Sequence, residues 1–194
     1  MPKSLSVYEF ASVEQIFDFQ KVNFEESHSR AVAYQLQQLH IKGLPKLKHI
    51  WNKDAQTELS FESLQEVDVF NCLRRKDLFP ASVARSLLQL VQLNVDRCGK
   101  LEEIVAKEGE AKAAVRFSFS KVTSVGFNEL PQLRTFYPGV HSSKWLALKE
   151  LEIVDSDKIE LLASELFSFQ ENNESHIDTL AQQPLFLVDK ETLF

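Results

Sequence analysis

The chain has 194 residues, 44% hydrophobic and 26% charged, which supplies enough apolar mass for one folded domain and is unlike a disordered or fibrous composition. Its net charge is −6, and residues 150–194 carry 11 acids against 2 bases, so a general nucleic-acid binder is excluded. No apolar run reaches the roughly 18 residues of a membrane helix, "MPKSLSVYEF" has no signal-peptide core, and two cysteines cannot form a disulfide framework; a cytoplasmic location is therefore expected.

In chain order, apolar pairs two residues apart occur at Leu5/Val7, Leu39/Ile41, Val67/Val69, Leu93/Val95, Val125/Phe127 and Leu151/Ile153. Counting the first member as zero, each pair is followed by further core positions at plus five, plus eight, plus eleven and plus twelve, as in "LNVDRCGKLEEIV". Of the 36 slots so defined only Arg75 and Ser156 are polar, whereas the 44% background would fill about 16 with apolar residues. A helix wants gaps of three and four and a half-buried strand wants gaps of two, and neither alone gives this rhythm. The gap of two is a strand, and the threes are turns of a coil.

Such a unit cannot bury its apolar face alone, so neighbours must stack, each giving one strand to a continuous parallel sheet. The expected fold is α/β: a leucine-rich-repeat solenoid, a horseshoe arc of about six repeats. Its strands fall near 5–7, 39–41, 67–69, 93–95, 125–127 and 151–153, with irregular convex loops or short helices opposite. Residues 1–165 form the solenoid, and 166–194 an acidic loop leading into the start of a truncated further repeat. The polar segments "VNFEESHSR" and "AKEGEAKAA" are loop insertions, and "PASVARSLLQL" reads as a short convex helix with Pro80 in its first turn.

Cys72 and Cys98 share the plus-five column of adjacent repeats, so they should lie close together as small buried thiols donating weakly to the backbone of the next turn. Neither belongs to a metal-binding spacing. Arg75 fills a core slot, where an unpaired charge is expensive, so its guanidinium is expected to escape to the edge with local loss of packing.

The surface most suited to binding is the concave sheet face. Its plus-one column includes His40, Asp68, Asn94 and Glu152, and its plus-three column Tyr8, Lys42, Phe70, Asp96 and Asn128. Tyr8 and Phe70 are either partner anchors or covers for the apolar edge beneath them. A second column gathers Lys46, Arg74 and Lys100, with Lys48 and Lys76 beside it, into a basic edge. That edge is either a plain solvated face or a docking site for an acidic surface.

No catalytic set is legible. The histidines form no H-E-x-x-H, no G-x-S-x-G occurs, His40 falls on the exposed strand face and His49 in a turn, and no cofactor or metal is implied. The "NES" sequon at Asn173 reads as chance.

"LHIKGLPKLKHIWN", "LFPASVARSLLQLVQLNVDRCGKLEEIVAKE", "LPQLRTFYPGVHSSKW" and "LKELEIVDSDKIELLASE" resemble the leucine-rich-repeat region of plant disease-resistance proteins of the coiled-coil, nucleotide-binding type. The resemblance implies a non-enzymatic protein-recognition module. Its partners would be a pathogen effector, a host protein or the receptor's own nucleotide-binding domain, which it would restrain; neither nucleic acid nor membrane is implied. No G-x-x-x-x-G-K-[ST] occurs, so this chain cannot run a nucleotide switch itself. It is read as a fragment, a truncated product or a partial gene model, with exposed apolar ends and low solubility in isolation. The alternatives are a substrate-recruiting adaptor of a ubiquitin ligase, which would need a binding segment upstream of Leu5, and an extracellular receptor ectodomain, which would need a signal peptide.

Overall fold

The computed structural model describes residues 3–17, 32–33, 35–51, 59–72, 74–108 and 114–159. The proposed final segment, the Asn173 sequon and most of the two polar insertions lie outside the described residues.

Six strands form one sheet: β1 (Ser4–Tyr8), β4 (Gln38–Lys42), β7 (Glu66–Phe70), β9 (Gln92–Asp96), β12 (Ser124–Asn128) and β14 (Glu150–Val154). All neighbours are parallel and the register is one to one, so Leu5, Leu39, Val67, Leu93, Val125 and Leu151 lie in a single ladder. Alternation along each strand sends the zero and plus-two residues inward. The inward side chains of the four middle strands, from Leu39 and Ile41 to Val125 and Phe127, are at most 2% exposed. Those of β1 and β14 are half-buried.

The opposite side is more regular than expected. Instead of only loops and a helix, it carries short strands: β2 (Gln15–Phe17), β3 (Val32–Ala33), β5 (His49–Trp51), β6 (Leu59–Ser60), β8 (Asp77–Pro80), β10 (Glu103–Ala106), β11 (Val115–Ser118) and β13 (His141–Lys144). They pair in parallel as β2–β5, β3–β6, β8–β10 and β11–β13, and Thr135 bridges to Glu103. Coils stacked in phase bring the plus-ten to plus-twelve backbone of one repeat beside that of the next, and buried peptide groups must pair. His49 accordingly lies in a strand, not in a turn. The helix α1 (Ala81–Ser86) has Pro80 as its N-cap, one residue before its first turn. Glu108 accepts from Ser82 N at 2.8 Å and Ser82 Oγ at 2.9 Å, so the next repeat supplies the anion that this helix end favours.

Between the layers, plus-eleven and plus-twelve residues (Phe17, Trp51, Phe136) and residues six before a strand's zero position (Phe61, Phe119, Trp145) build two aromatic piles. Trp51 stacks on Phe17 at 5.1 Å and meets Phe61 edge-on at 4.5 Å, and Phe119 stacks on Trp145 at 4.4 Å above Phe136. Fully burying one such side chain is worth about 1.5–3 kcal/mol.

Each long strand ends at a residue in left-handed conformation, always at plus four: Glu9, Gly43, Asn71, Arg97, Glu129 and Asp155, with φ between 50° and 64°. The backbone N–H of the first five closes onto the next strand, as in Gly43 N to Phe70 O at 2.9 Å. The corner reverses the chain into the turn that leads to plus five.

The plus-five column then links the coils. Cys72 Sγ donates to Phe70 O at 3.6 Å and Cys98 Sγ to Asp96 O at 3.5 Å, both within their own repeats. The link to the neighbour runs opposite to expectation, because the main-chain N–H groups of Leu44 and Cys72 donate to the sulfurs of Cys72 and Cys98. Ser156 does the same work: it accepts from Leu130 N at 3.1 Å and its Oγ lies 3.1 Å from Val154 O. Its polarity is therefore suited to the slot. Burial pushes the Cys98 thiol up to about 12, so it stays protonated.

Arg75 does not escape to the edge. It is 3% exposed, and its guanidinium donates to Asp77 O at 2.7 Å, Asp77 Oδ1 at 2.6 Å and Lys48 O at 2.7 Å. Desolvation lowers its pKa and the Asp77 carboxylate opposes that shift. The charge is tolerable inside because a carboxylate and two carbonyls replace its water.

Candidate functional site

The plus-one and plus-three side chains of the six long strands point away from the core. Tyr8, Lys42, Asp68, Phe70, Asn94, Asp96, Asn128 and Glu152 line one open hollow of about 650 Å³ on the sheet's solvent face, together with Glu9, Ile41, Val95 and Gly126. His40 is outside this lining, although its Nδ1 lies 3.9 Å from Asp68 Oδ2. Every strand with its register thus contributes to one surface, with no loop needed to assemble it.

The hollow has two unlike ends. Around β4 and β7 it is aromatic and cationic: Lys42 Nζ stands 5.1 Å and the Arg97 guanidinium 5.3 Å from the Phe70 ring centroid. Phe70 is therefore half-buried between cations, while Tyr8 on β1 is 49% exposed. Around β9, β12 and β14 acceptors prevail. Burial raises the Asp96 carboxyl above the usual range, Arg97 opposes this, and the charges of Glu129, Asp68 and Glu152 add to it. Asp96 Oδ1 lies 3.5 Å from Arg97 Nε, outside hydrogen-bond geometry, because that Nε donates to Glu129 at 2.9 Å.

Gly126 was not singled out by the sequence pattern, though a glycine among Asp68, Asn94 and Glu152 in the plus-one column was a visible signal. It is buried, and a Cβ there would meet Asn94 Oδ1 at 3.0 Å.

The basic edge is less uniform than the column implied. Lys46, Arg74 and Lys100 are exposed, but Lys48 pairs with Glu14 at 2.8 Å and Lys76 with Glu102 at 3.2 Å. The Lys48 contact, followed by the fields of Lys46 and Arg74, lowers the Glu14 pKa. Acids from neighbouring repeats interleave with the lysines, so the edge is mixed. Among the described residues no group of three or more His, Cys, Asp or Glu could hold a metal ion, and no helix is long and apolar enough to cross a membrane.

A sequence model described as plant disease resistance protein RPS2-like, leucine-rich repeats, matches residues 3–99. No curated protein and no solved structure gives a match. The matched stretch spans half of the chain and contains the first four long strands, whose register continues unbroken through β12 and β14. This chain belongs to the leucine-rich-repeat family of plant disease-resistance proteins.

Proposed function

We propose that this chain is a non-enzymatic recognition module of the plant immune-receptor type, working in the cytoplasm as part of a longer receptor. Its sheet face engages a pathogen effector or host protein, or restrains the receptor's nucleotide-binding switch. The observation that carries the reading is the family match together with a strand-built hollow that offers aromatic, cationic and acidic side chains on one rigid sheet. Rigid strands hold such groups in fixed register, which reduces the ordering cost of binding. The match favours this reading over a ubiquitin-ligase adaptor or an extracellular ectodomain.

Co-expression with the nucleotide-binding portion of a receptor of this family, followed by pull-down across a salt series, tests it. Tyr8→Ala with Phe70→Ala should weaken capture through the sheet face. Lys46→Glu, Arg74→Glu and Lys100→Glu together should weaken it, and reduce its salt dependence, if the basic edge docks instead. Capture that is absent, or indifferent to both sets, overturns the reading.

A further inference from the structure

We infer that the first coil is a self-association surface, through which two copies of this chain pair head to head by antiparallel β1 strands about a two-fold axis at Ser6. This goes beyond the sheet face as an interaction surface and is independent of what that face binds.

The four middle strands of the sheet have a neighbour on both sides, whereas among the described residues β1 pairs with β4 alone. Its inward Leu5 and Val7 are half-buried. Phe10, in the plus-five column, is 58% exposed, where Leu44, Cys72, Cys98 and Leu130 in the same column are at most 1% exposed. Val13 and Ile16 are half-buried along the same coil. These apolar side chains belong to the side of a coil that a stacked neighbour covers elsewhere in the solenoid.

The backbone at this edge is open as well. Lys3 O accepts from Gln37 N and Gln38 N, and Glu9 N donates to Lys42 O, so the odd-numbered peptide groups of β1 turn towards β4. By alternation those of Ser4, Ser6 and Tyr8 turn to the free edge. The strand carries neither a charge nor a proline between Ser4 and Tyr8, the residues that usually blunt such an edge against pairing.

Self-complementarity points to a second copy as the occupant. An antiparallel partner centred on Ser6 sets Ser6 against Ser6, Ser4 against Tyr8 and Leu5 against Val7. The first two kinds of pair use the open N–H and C=O groups, and the third brings inward side chains to their closest approach, which carries the apolar interior across the axis. The same register brings Lys3 beside the partner's Glu9 at both ends of the strand pair. Both residues are exposed, and among the described residues neither joins an ion pair. A patch that matches itself in hydrogen bonds, apolar contacts and charge is what an isologous interface requires. The far strand differs: the corresponding full-length register of β14 sets Glu152 against its own copy, and like charges directly opposite disfavour pairing. Association is thereby confined to one end and closes at two chains.

The test uses the full chain in sedimentation equilibrium over a concentration series, where a reversible monomer to dimer equilibrium is expected. Ser6→Lys, at an exposed position, faces an ammonium with its own copy and should weaken the dimer about tenfold or more, while its melting transition, compared at concentrations where both proteins are monomeric, stays unchanged. Lys3→Glu and Glu9→Lys should each weaken self-association about tenfold, because each puts like charges at both ends of the pair. Mixing these two variants should restore dimers containing one chain of each, and the double variant should dimerise like the unaltered chain. A chain that stays monomeric, species that grow beyond two, or a dimer indifferent to Ser6→Lys overturns the inference. Charge variants that fail to recover on mixing overturn the head-to-head pairing.

Discussion

Two successive junctions on the back of the solenoid are joined by different means. Between the third and fourth repeats the backbone does the work: Lys76 O accepts from Glu102 N and Glu103 N at 2.8 and 3.0 Å, and β8 pairs with β10. The first junction is alike, with Glu14 O accepting from Lys48 N and His49 N. Between the second and third repeats, the equivalent carbonyl of Lys48 receives the Arg75 guanidinium, and Trp51 Nε1 reaches across to Leu78 O at 2.9 Å. Side chains there stand where main-chain N–H groups stand elsewhere. The lesson is that a stacked coil requires its carbonyls to be satisfied and is indifferent to which donor satisfies them.

Breaking the side-chain junction should have the largest effect. Arg75→Ala leaves the nearly buried Asp77 carboxylate and Lys48 O without this donor, and should cost about 3–5 kcal/mol in denaturant unfolding. Adding Asp77→Asn should return part of that loss, leaving the cost of the orphaned carbonyls, about 1–3 kcal/mol. If Arg75→Ala proves nearly neutral, the guanidinium is not holding the junction. Leu101 occupies the same column in the backbone-paired junction, so Leu101→Ala should cost about 2–5 kcal/mol by cavity formation, with no rescue from any change of charge.

A smaller change sharpens the contrast. Trp51→Phe keeps the aromatic pile but removes the donor to Leu78 O, and should lose about 1–2 kcal/mol in the same measurement.

The sheet order and the inward residues were legible in the sequence because one pattern recurs six times, so a misread in one repeat is corrected by the other five. Arg75 was not, since a charged residue in an apolar column announces a cost, while its remedy lies in the carbonyl of Lys48 in the preceding repeat. The back strands were hidden for a related reason: their pairing depends on how closely coils stack, which no single repeat encodes. Ser156 looked like a defect because its column was read as apolar, when two of its members, Cys72 and Cys98, already carried weak donors and acceptors. In the hollow, the column positions placed eight lining residues together, and Gly126 stood visibly in the same plus-one column, but a pattern read for side chains assigned a glycine no role.

Titration probes the other aromatic pile. Desolvation lowers the His141 pKa from its ordinary 6.5, opposed by its contact with Gly139 O. The unfolded chain therefore takes up its proton first as pH falls. Stability from this site is complete above pH 6.5 and declines as pH drops from there towards the folded-state pKa, so unfolding midpoints should fall between pH 7 and 5. His141→Phe should flatten that slope, and an unaltered slope would assign it to another group.

The smallest expected effect concerns the corners. Gly43→Ala should cost about 1–2 kcal/mol, because φ is +64° there, and Glu129→Gly should gain up to about 1 kcal/mol in thermal unfolding.

Those six corners carry a further implication. They form a seam running the length of the described sheet, and at five of them the backbone accepts a side chain where glycine would be easier. Four of those side chains, Glu9, Arg97, Glu129 and Asp155, stand exposed beside the hollow. They point away from the core, so charges along this border can be exchanged without touching the interior ladder, with Arg97 and Glu129, paired across coils at 2.9 Å, changing together.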